Sequence, residues 1–368
     1  MNSLSAANTH FAFDLFQQFK TSKKDDNIFY SPLSISSALA MTYLGAKENT
    51  AFEMEKVLHF NEVTENTEGR TTTDDVEKLG NVHHQFQKLL TELKKPTDAY
   101  ELNIANKLYG EKNYQFLQEY MDNVKKFYLT SVESVDFSNA PEESRKKINS
   151  WVESQTHEKI KDLLPKNSLE FTRLVLVNAI YFKGQWDNKF DKKNTLEKEF
   201  WLNKDIQAKI LEIPYKGKDL SMMLLLPDEV DGLQKLEDQL TAEKLIKWTS
   251  SQNMRDNYVD LYLPRFKVEE TYDLKDTLRA LGMADVFNPQ RANLSGMTGV
   301  KDLLVSKVIH KSFVEVTEEG TEAASSTAVV VKVRSLPTHP FHCDHPFLFL
   351  IRHNKTNSIL FLGRVSSP

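Results

Sequence analysis

The sequence predicts an α+β fold in a single large domain (1–368), and three observations carry that prediction. Helical periodicity dominates the first half, strand-like apolar runs dominate from about residue 205 onward, and neither a regular βαβ alternation nor an internal repeat links the two.

The helical half begins with Phe11, Leu15 and Phe19, which share one helical face. Ser31-Pro32 reads as a helix start with proline just inside the cap, and Leu39 to Leu44 continue that helix. Ala51 to Leu58 forms another helix, and Val82 to Leu93 a further one. Residues 60–80 are polar and without an apolar period, so they are expected to be a mobile interhelical loop. Strand signals over 99–109 and 131–137 alternate with helical stretches near 116–126 and 141–157. Leu174 to Phe182 is apolar enough to be a central strand buried on both faces. Later strands are expected at 206–214, 219–226, 257–263, 302–316, 346–352 and 358–363, with helical pieces near 241–250 and 272–281.

With 40% hydrophobic and 27% charged residues, the chain has the composition of an ordinary globular protein large enough to need no staples. A net charge of −5 with scattered Lys and Arg argues against a nucleic-acid partner. The one cysteine, Cys343, excludes an internal disulfide and suits a reducing compartment. Asn8, His10 and Asp14 interrupt any apolar core of a signal peptide, and no apolar run approaches the roughly 18 residues that span a bilayer. A cytoplasmic location is expected, with release lacking a signal peptide as an added route, and no membrane partner. In such a chain the sequons at Asn293 and Asn354 read as coincidence.

Residues 315–342, EVTEEGTEAASSTAVVVKVRSLPTHPFH, hold the most information. If 321–333 were a strand, one face would carry Thr321, Ala323, Ser325, Thr327, Val329, Val331 and Val333, with no charge among them. The other face would carry Glu322, Ala324, Ser326, Ala328, Val330 and Lys332, including both charges. The small residues and the following Leu336-Pro337 also suit an exposed loop. Parity alone fits a fixed strand followed by an ordinary surface loop more simply than it fits a switch.

Five segments, NIFYSPLSISSALAMTYLGAKENT (27–50), NAIYFKGQW (178–186), LPRFKVE (263–269), EVTEEGTEAA (315–324) and HPFLFLIR (345–352), resemble serpin segments in serpin order. The likeness runs from Asn8 to Pro368. The polar stretch 60–80 and terminal SSP look like the ovalbumin clade (clade B), and VHHQFQKLLTEL (82–93), ESVDF (133–137) and NKTNSILF (354–361) look like its squamous-cell-carcinoma-antigen group. The resemblance implies a main mixed sheet, two smaller sheets, about nine helices and an exposed reactive-centre loop at 318–340. It implies a protease inhibitor rather than an enzyme: a protease attacks the loop, and the freed loop enters the main sheet as a strand and traps the acyl-enzyme.

Counting from Gly320 by the family's spacing makes Arg334–Ser335 the bait bond, with Val333 and Lys332 before it. Arginine suits the carboxylate-bearing pocket of trypsin-like serine proteases. Val333 suits the apolar pocket with which papain-like cysteine proteases read the preceding residue. The resemblance also marks Gly320, Thr321, Glu322, Ala323, Ala324, Ser325, Ser326 and Thr327 as the hinge, with Gly320 easing the change in backbone angles. Ser31, Ser34, Asn178 and His310 match the polar cluster under the opening sheet; without the resemblance they read as a helix cap, a core asparagine and a satisfied histidine. A monomer is expected. The alternative is a non-inhibitory serpin, a binding or chaperone-like protein that is cleaved without trapping.

The chain departs from the family between Lys204 and Asp205, where two strands, roughly 20 residues, are absent. That gap is expected to leave an unpaired sheet edge and to weaken the fold. No enzyme motif is present: GxSxG, HExxH and a Walker loop are all missing. No cofactor or metal is expected. His339, His342 and His345, with Cys343 between, alternate faces along an extended segment, and the adjacent His83 and His84 diverge on a helix.

Overall fold

The computed structural model describes residues 3–63, 75–187, 196–201, 207–250, 254–316, 328–331 and 339–368. Helix α1 (Ser3–Ser22) leads through strand β1 (Ile28–Tyr30) to α2 (Pro32–Tyr43) and α3 (Glu48–Val57). Next come α4 (Asp75–Leu93), β2 (Tyr100–Glu111), α5 (Gln118–Tyr128), β3 (Val132–Val135) and α6 (Pro141–Gln155). Strands β4 (Leu174–Gly184), β5 (Leu196–Trp201), β6 (Ala208–Pro214) and β7 (Leu220–Pro227) come next. Helices α7 (Leu233–Gln239) and α8 (Ala242–Trp248) precede β8 (Arg255–Pro264) and β9 (Phe266–Asp273). Helices α9 (Lys275–Ala280) and α10 (Ser295–Thr298) follow. The chain closes with β10 (Lys307–Val316), β11 (Ala328–Val331), β12 (His339–His342), β13 (Phe347–His353) and β14 (Ser358–Val365).

The main sheet is five-stranded, in the order β3-β2-β4-β10-β9. It is mixed: β4 runs antiparallel to β2 and parallel to β10. The unbroken apolar run of β4 is explained by what lies on its two faces. Leu174, Leu176, Ile180 and Phe182 enter the large core, whereas Val175, Val177, Ala179 and Tyr181 enter a second core with Ile148 and Val152 of α6. A strand buried on both faces has no polar alternation to show.

The other nine strands follow the path β1-β14-β13-β7-β6-β5-β8-β11, with β12 also on β8. The two smaller sheets are therefore joined through β5. This strand pairs with β6 from Lys198↔Glu212 to Trp201↔Lys209, and with β8 from Leu196↔Tyr258 to Glu199↔Arg255. The edge of β6 expected to be open beside the departure at 204–205 is thus covered by β5.

Of the differences from the sequence reading, which include the unpredicted strand β5 and a β10 that begins at Lys307 rather than 302, two have a clear local cause. The stretch 60–80 is not loop throughout, because α4 starts at Asp75. Val76, Leu79, Val82 and Phe86 already follow helical spacing, but Gly80 and the acidic flank mask it; residues 64–74 lie outside those described. Strand β9 was missed because only Arg265 separates it from β8, and Lys267, Glu269 and Thr271 dilute its apolar alternation.

Candidate functional site: a polar latch beneath a closed seam

Ser31 caps α2. Its extended backbone lets the hydroxyl accept the Ser34 N–H at 3.2 Å, and Pro32 occupies the first helical position, where a missing N–H is harmless. One turn in, the Ser34 hydroxyl accepts Asn178 Nδ2 at 2.7 Å and lies 3.0 Å from Asn178 Oδ1. Asn178 on β4 and His310 on β10 are register partners across the parallel pair. His310 Nδ1 sits 2.6 Å from Asn178 Oδ1, and the Ser31 backbone N–H donates to His310 Nε2 at 3.0 Å. Since Nε2 accepts, the neutral ring carries its proton on Nδ1 and gives it to the asparagine carbonyl. Burial pushes the imidazole pKa down to about 3, so the ring is neutral over the physiological range.

The four residues that the sequence placed together do meet, and the structure adds a fifth. The Ser312 hydroxyl lies 2.6 Å from His310 Nε2 and is fully buried. The available signal was its place two residues beyond His310, on the same strand face. All five are 2% exposed or less, so each polar group depends on the others rather than on solvent. Hydroxyls and an imidazole can exchange partners, so the cluster can hold the seam shut and still re-pair if it opens. That seam is eight residue pairs long, from Lys307↔Val175 to Val314↔Phe182.

Arg334, Ser335, Val333 and Lys332 lie outside the described residues, as do Gly320, Thr321, Glu322, Ala323, Ala324, Ser325, Ser326 and Thr327. Between the residues expected to form the hinge and the bait bond, β11 is described, and it lies outside the seam. It pairs antiparallel with β8, from Ala328↔Pro264 to Val331↔Leu261. Strand β12 pairs parallel with residues 259–262 of β8. Because β11 and β12 both engage Leu261 and Tyr262, they occupy opposite edges of β8.

The remaining polar candidates are engaged in packing. Cys343 is fully buried, which pushes its thiol well above the usual range. His345 is held by the Asp344 carboxylate at 2.7 Å and the Pro227 carbonyl at 2.6 Å. His83 is buried against the Tyr128 hydroxyl, whereas His84 is exposed. Asn354 Nδ2 donates to the Lys218 carbonyl and the Ser221 hydroxyl, each at 2.9 Å, and Asn293 is buried. Among the described residues no helix is long and apolar enough to cross a membrane.

The family model described as Serpin (serine protease inhibitor) matches residues 6–209 and 202–368. The two stretches meet at 202–209. Human Serpin B3 is 66% identical over 393 residues, with 100% of both chains covered. Human Serpin B4 is 66% identical over 392 residues, also at 100% coverage of both. The horse leukocyte elastase inhibitor is 48% identical over 395 residues, again covering both chains fully. Among solved structures, uncleaved ovalbumin superposes with a TM-score of 0.88 at 37% identity, covering 100% of each chain. A loop-inserted, cleaved ovalbumin mutant gives a TM-score of 0.85 at 37% identity and the same coverage. By its sequence along nearly the whole length and by its fold, the chain belongs to the serpin family, in the clade of Serpin B3 and Serpin B4.

Proposed function

We propose that the chain is a single-use inhibitor of trypsin-like serine proteases, attacked at Arg334–Ser335, with papain-like cysteine proteases as a second target class. One observation carries the proposal: the bait segment follows directly from β10, one side of a seam that is closed yet latched by groups able to re-pair. A strand turning back from Val316 would run antiparallel to β10, and so antiparallel to β4, which suits entry between them.

The parity of 321–333 agrees with the faces of that sheet. On β10, His310, Ser312, Val314 and Val316 are buried on one face, while on the other the partly buried Lys307, Lys311 and Glu315 alternate with the buried Ile309 and Phe313. An inserted strand carrying Thr321, Ala323 and Ser325 inward and Glu322 and Lys332 outward would meet matching surroundings. Cleavage would release β11 from β8, and Gly320 to Thr327 would lead the strand into the seam. The lone cysteine supports action in a reducing cytoplasm.

The second reading, a binding or chaperone-like serpin, draws on the departure after Lys204. The alignment with Serpin B3 spans 393 residues against 368 here, so about 25 of its positions have no residue in this chain. We place that gap where the two family matches meet. Thyroxine-binding globulin in complex with thyroxine, 32% identical with a TM-score of 0.84 over 99% of both chains, has the same fold, so the fold alone does not exclude a binding role.

The test is to incubate the protein with trypsin and with papain and to run denaturing gels. The inhibitor reading expects an SDS-resistant covalent complex at the summed mass and first cleavage between Arg334 and Ser335. Cleaved chain with fully active protease and no complex would favour the second reading.

A further inference from the structure

Away from the seam, five side chains from three elements converge. His10 and Asp14 project from α1, His59 and Glu62 from the turn after α3, and Glu243 from the first turn of α8. Glu62 bridges the two rings: Oε2 is 3.0 Å from His10 Nδ1, and Oε1 is 3.0 Å from His59 Nδ1. The far nitrogens face carboxylates too, His10 Nε2 at 2.8 Å from Glu243 and His59 Nε2 at 2.6 Å from Asp14.

This arrangement has more acceptors than neutral rings can supply with protons. An ionised carboxylate only accepts, and a neutral imidazole has one N–H. If each ring donates Nε2–H to its outer carboxylate, both Nδ1 atoms face Glu62 and call for positive charge there, supplied by a second proton on each ring or by a shared cation.

We propose that His10, His59 and Glu62 bind a divalent cation of the zinc class through His10 Nδ1, His59 Nδ1 and a Glu62 oxygen, with Glu243 and Asp14 orienting the rings. One ligand atom from each of the three residues lies within 4.8 Å of the other two. Ligands at zinc's 2.0–2.1 Å sit about 3.4 Å apart around a tetrahedron, so closing the site needs only small rotations. The two imidazole side chains are 30% and 23% exposed, leaving a fourth position open to water. Imidazole nitrogen with carboxylate oxygen favours zinc over calcium or magnesium, which take oxygen ligands. A carboxylate on the far nitrogen of each ring is the usual outer partner of zinc-bound histidine. Such an ion would tie α1, the turn after α3 and α8 together.

Calorimetric titration of zinc chloride into the chelator-treated full-length protein tests this directly. The expected result is one site per chain, weakened at least 10-fold in His10→Gln and in His59→Gln, and weakened less in Glu243→Gln. Zinc should raise the melting temperature of the wild type but not of His10→Gln. No zinc binding, or binding to His10→Gln and Glu62→Gln with wild-type affinity, would overturn the proposal. If a variant fails to fold, cobalt(II) bound to the wild type decides. Strong visible bands of a four-coordinate site are expected, and the weak bands of a six-coordinate aquo ion would refute it.

Discussion

His310 sets the acid limit of the latch. In the unfolded chain its ring titrates near the ordinary 6.5, but in the fold only near 3. Between those values the unfolded chain takes up a proton that the folded chain refuses, so stability falls as pH drops from 6.5 towards 3. The whole effect is a few kcal/mol at most, at about 1.4 kcal/mol per pH unit. His83, also lowered to about 3 by burial, contributes with the same sign. His310→Gln should therefore flatten part of the loss between pH 6.5 and 4, while costing about 1–3 kcal/mol at pH 7 through unpaired neighbours. Urea midpoints at several pH values measure both, and parallel pH profiles for the two proteins would exclude His310 as the sensor. At the bait, Arg334→Glu should slow association with trypsin by orders of magnitude and leave folding intact, because the paired charge-assisted bonds to the pocket carboxylate are lost. Stopped-flow inhibition rates measure this, and equal rates for both proteins would reject Arg334 as the specificity residue. Single residues were legible to different degrees. Ser31-Pro32 announces its cap locally, but Asn178 and His310 meet only through pairing of strands far apart in sequence, so the family resemblance was needed to bring them together.

At the scale of elements, the proposed mechanism requires residues 320–327 to enter the β4–β10 seam. Thr321 has inward parity, and an arginine there would have to be desolvated on insertion, at a cost of several kcal/mol. Thr321→Arg should still be cut at Arg334 but release active protease, while Glu322→Arg should be much milder. The ratio of complex to cleaved chain on a gel compares them, and identical ratios would contradict the parity argument. The strands β4, β7 and β14 were legible because each is a long apolar run. Strand β5 was not, since Leu196-Glu-Lys-Glu-Phe-Trp201 has no clean alternation and is defined by its partners β6 and β8. The pairing of β11 with β8 was equally invisible, because a four-residue run of Ala and Val fits many strand edges.

At the scale of the molecule, β5 joins two sheets as one strand, pairing with β6 along one edge and with β8 along the other. Side-chain cover is a separate matter: each 100 Å² of apolar surface left bare by missing strands costs about 2.5 kcal/mol, a sizeable share of a domain's net stability. Grafting the corresponding segment of a related serpin between Lys204 and Asp205 should raise the melting temperature and the yield of trapped protease. If neither changes, the missing strands are dispensable. The central claim is that the bait segment belongs in the β4–β10 seam once it is cut. The measurement that tests it most directly is the melting temperature of the chain before and after cleavage at Arg334–Ser335. Insertion adds a strand to the middle of the five-stranded sheet, so the cleaved chain should melt well above the intact one. A cleaved chain that melts at or below the intact temperature would mean that the seam stays closed, and would contradict the account.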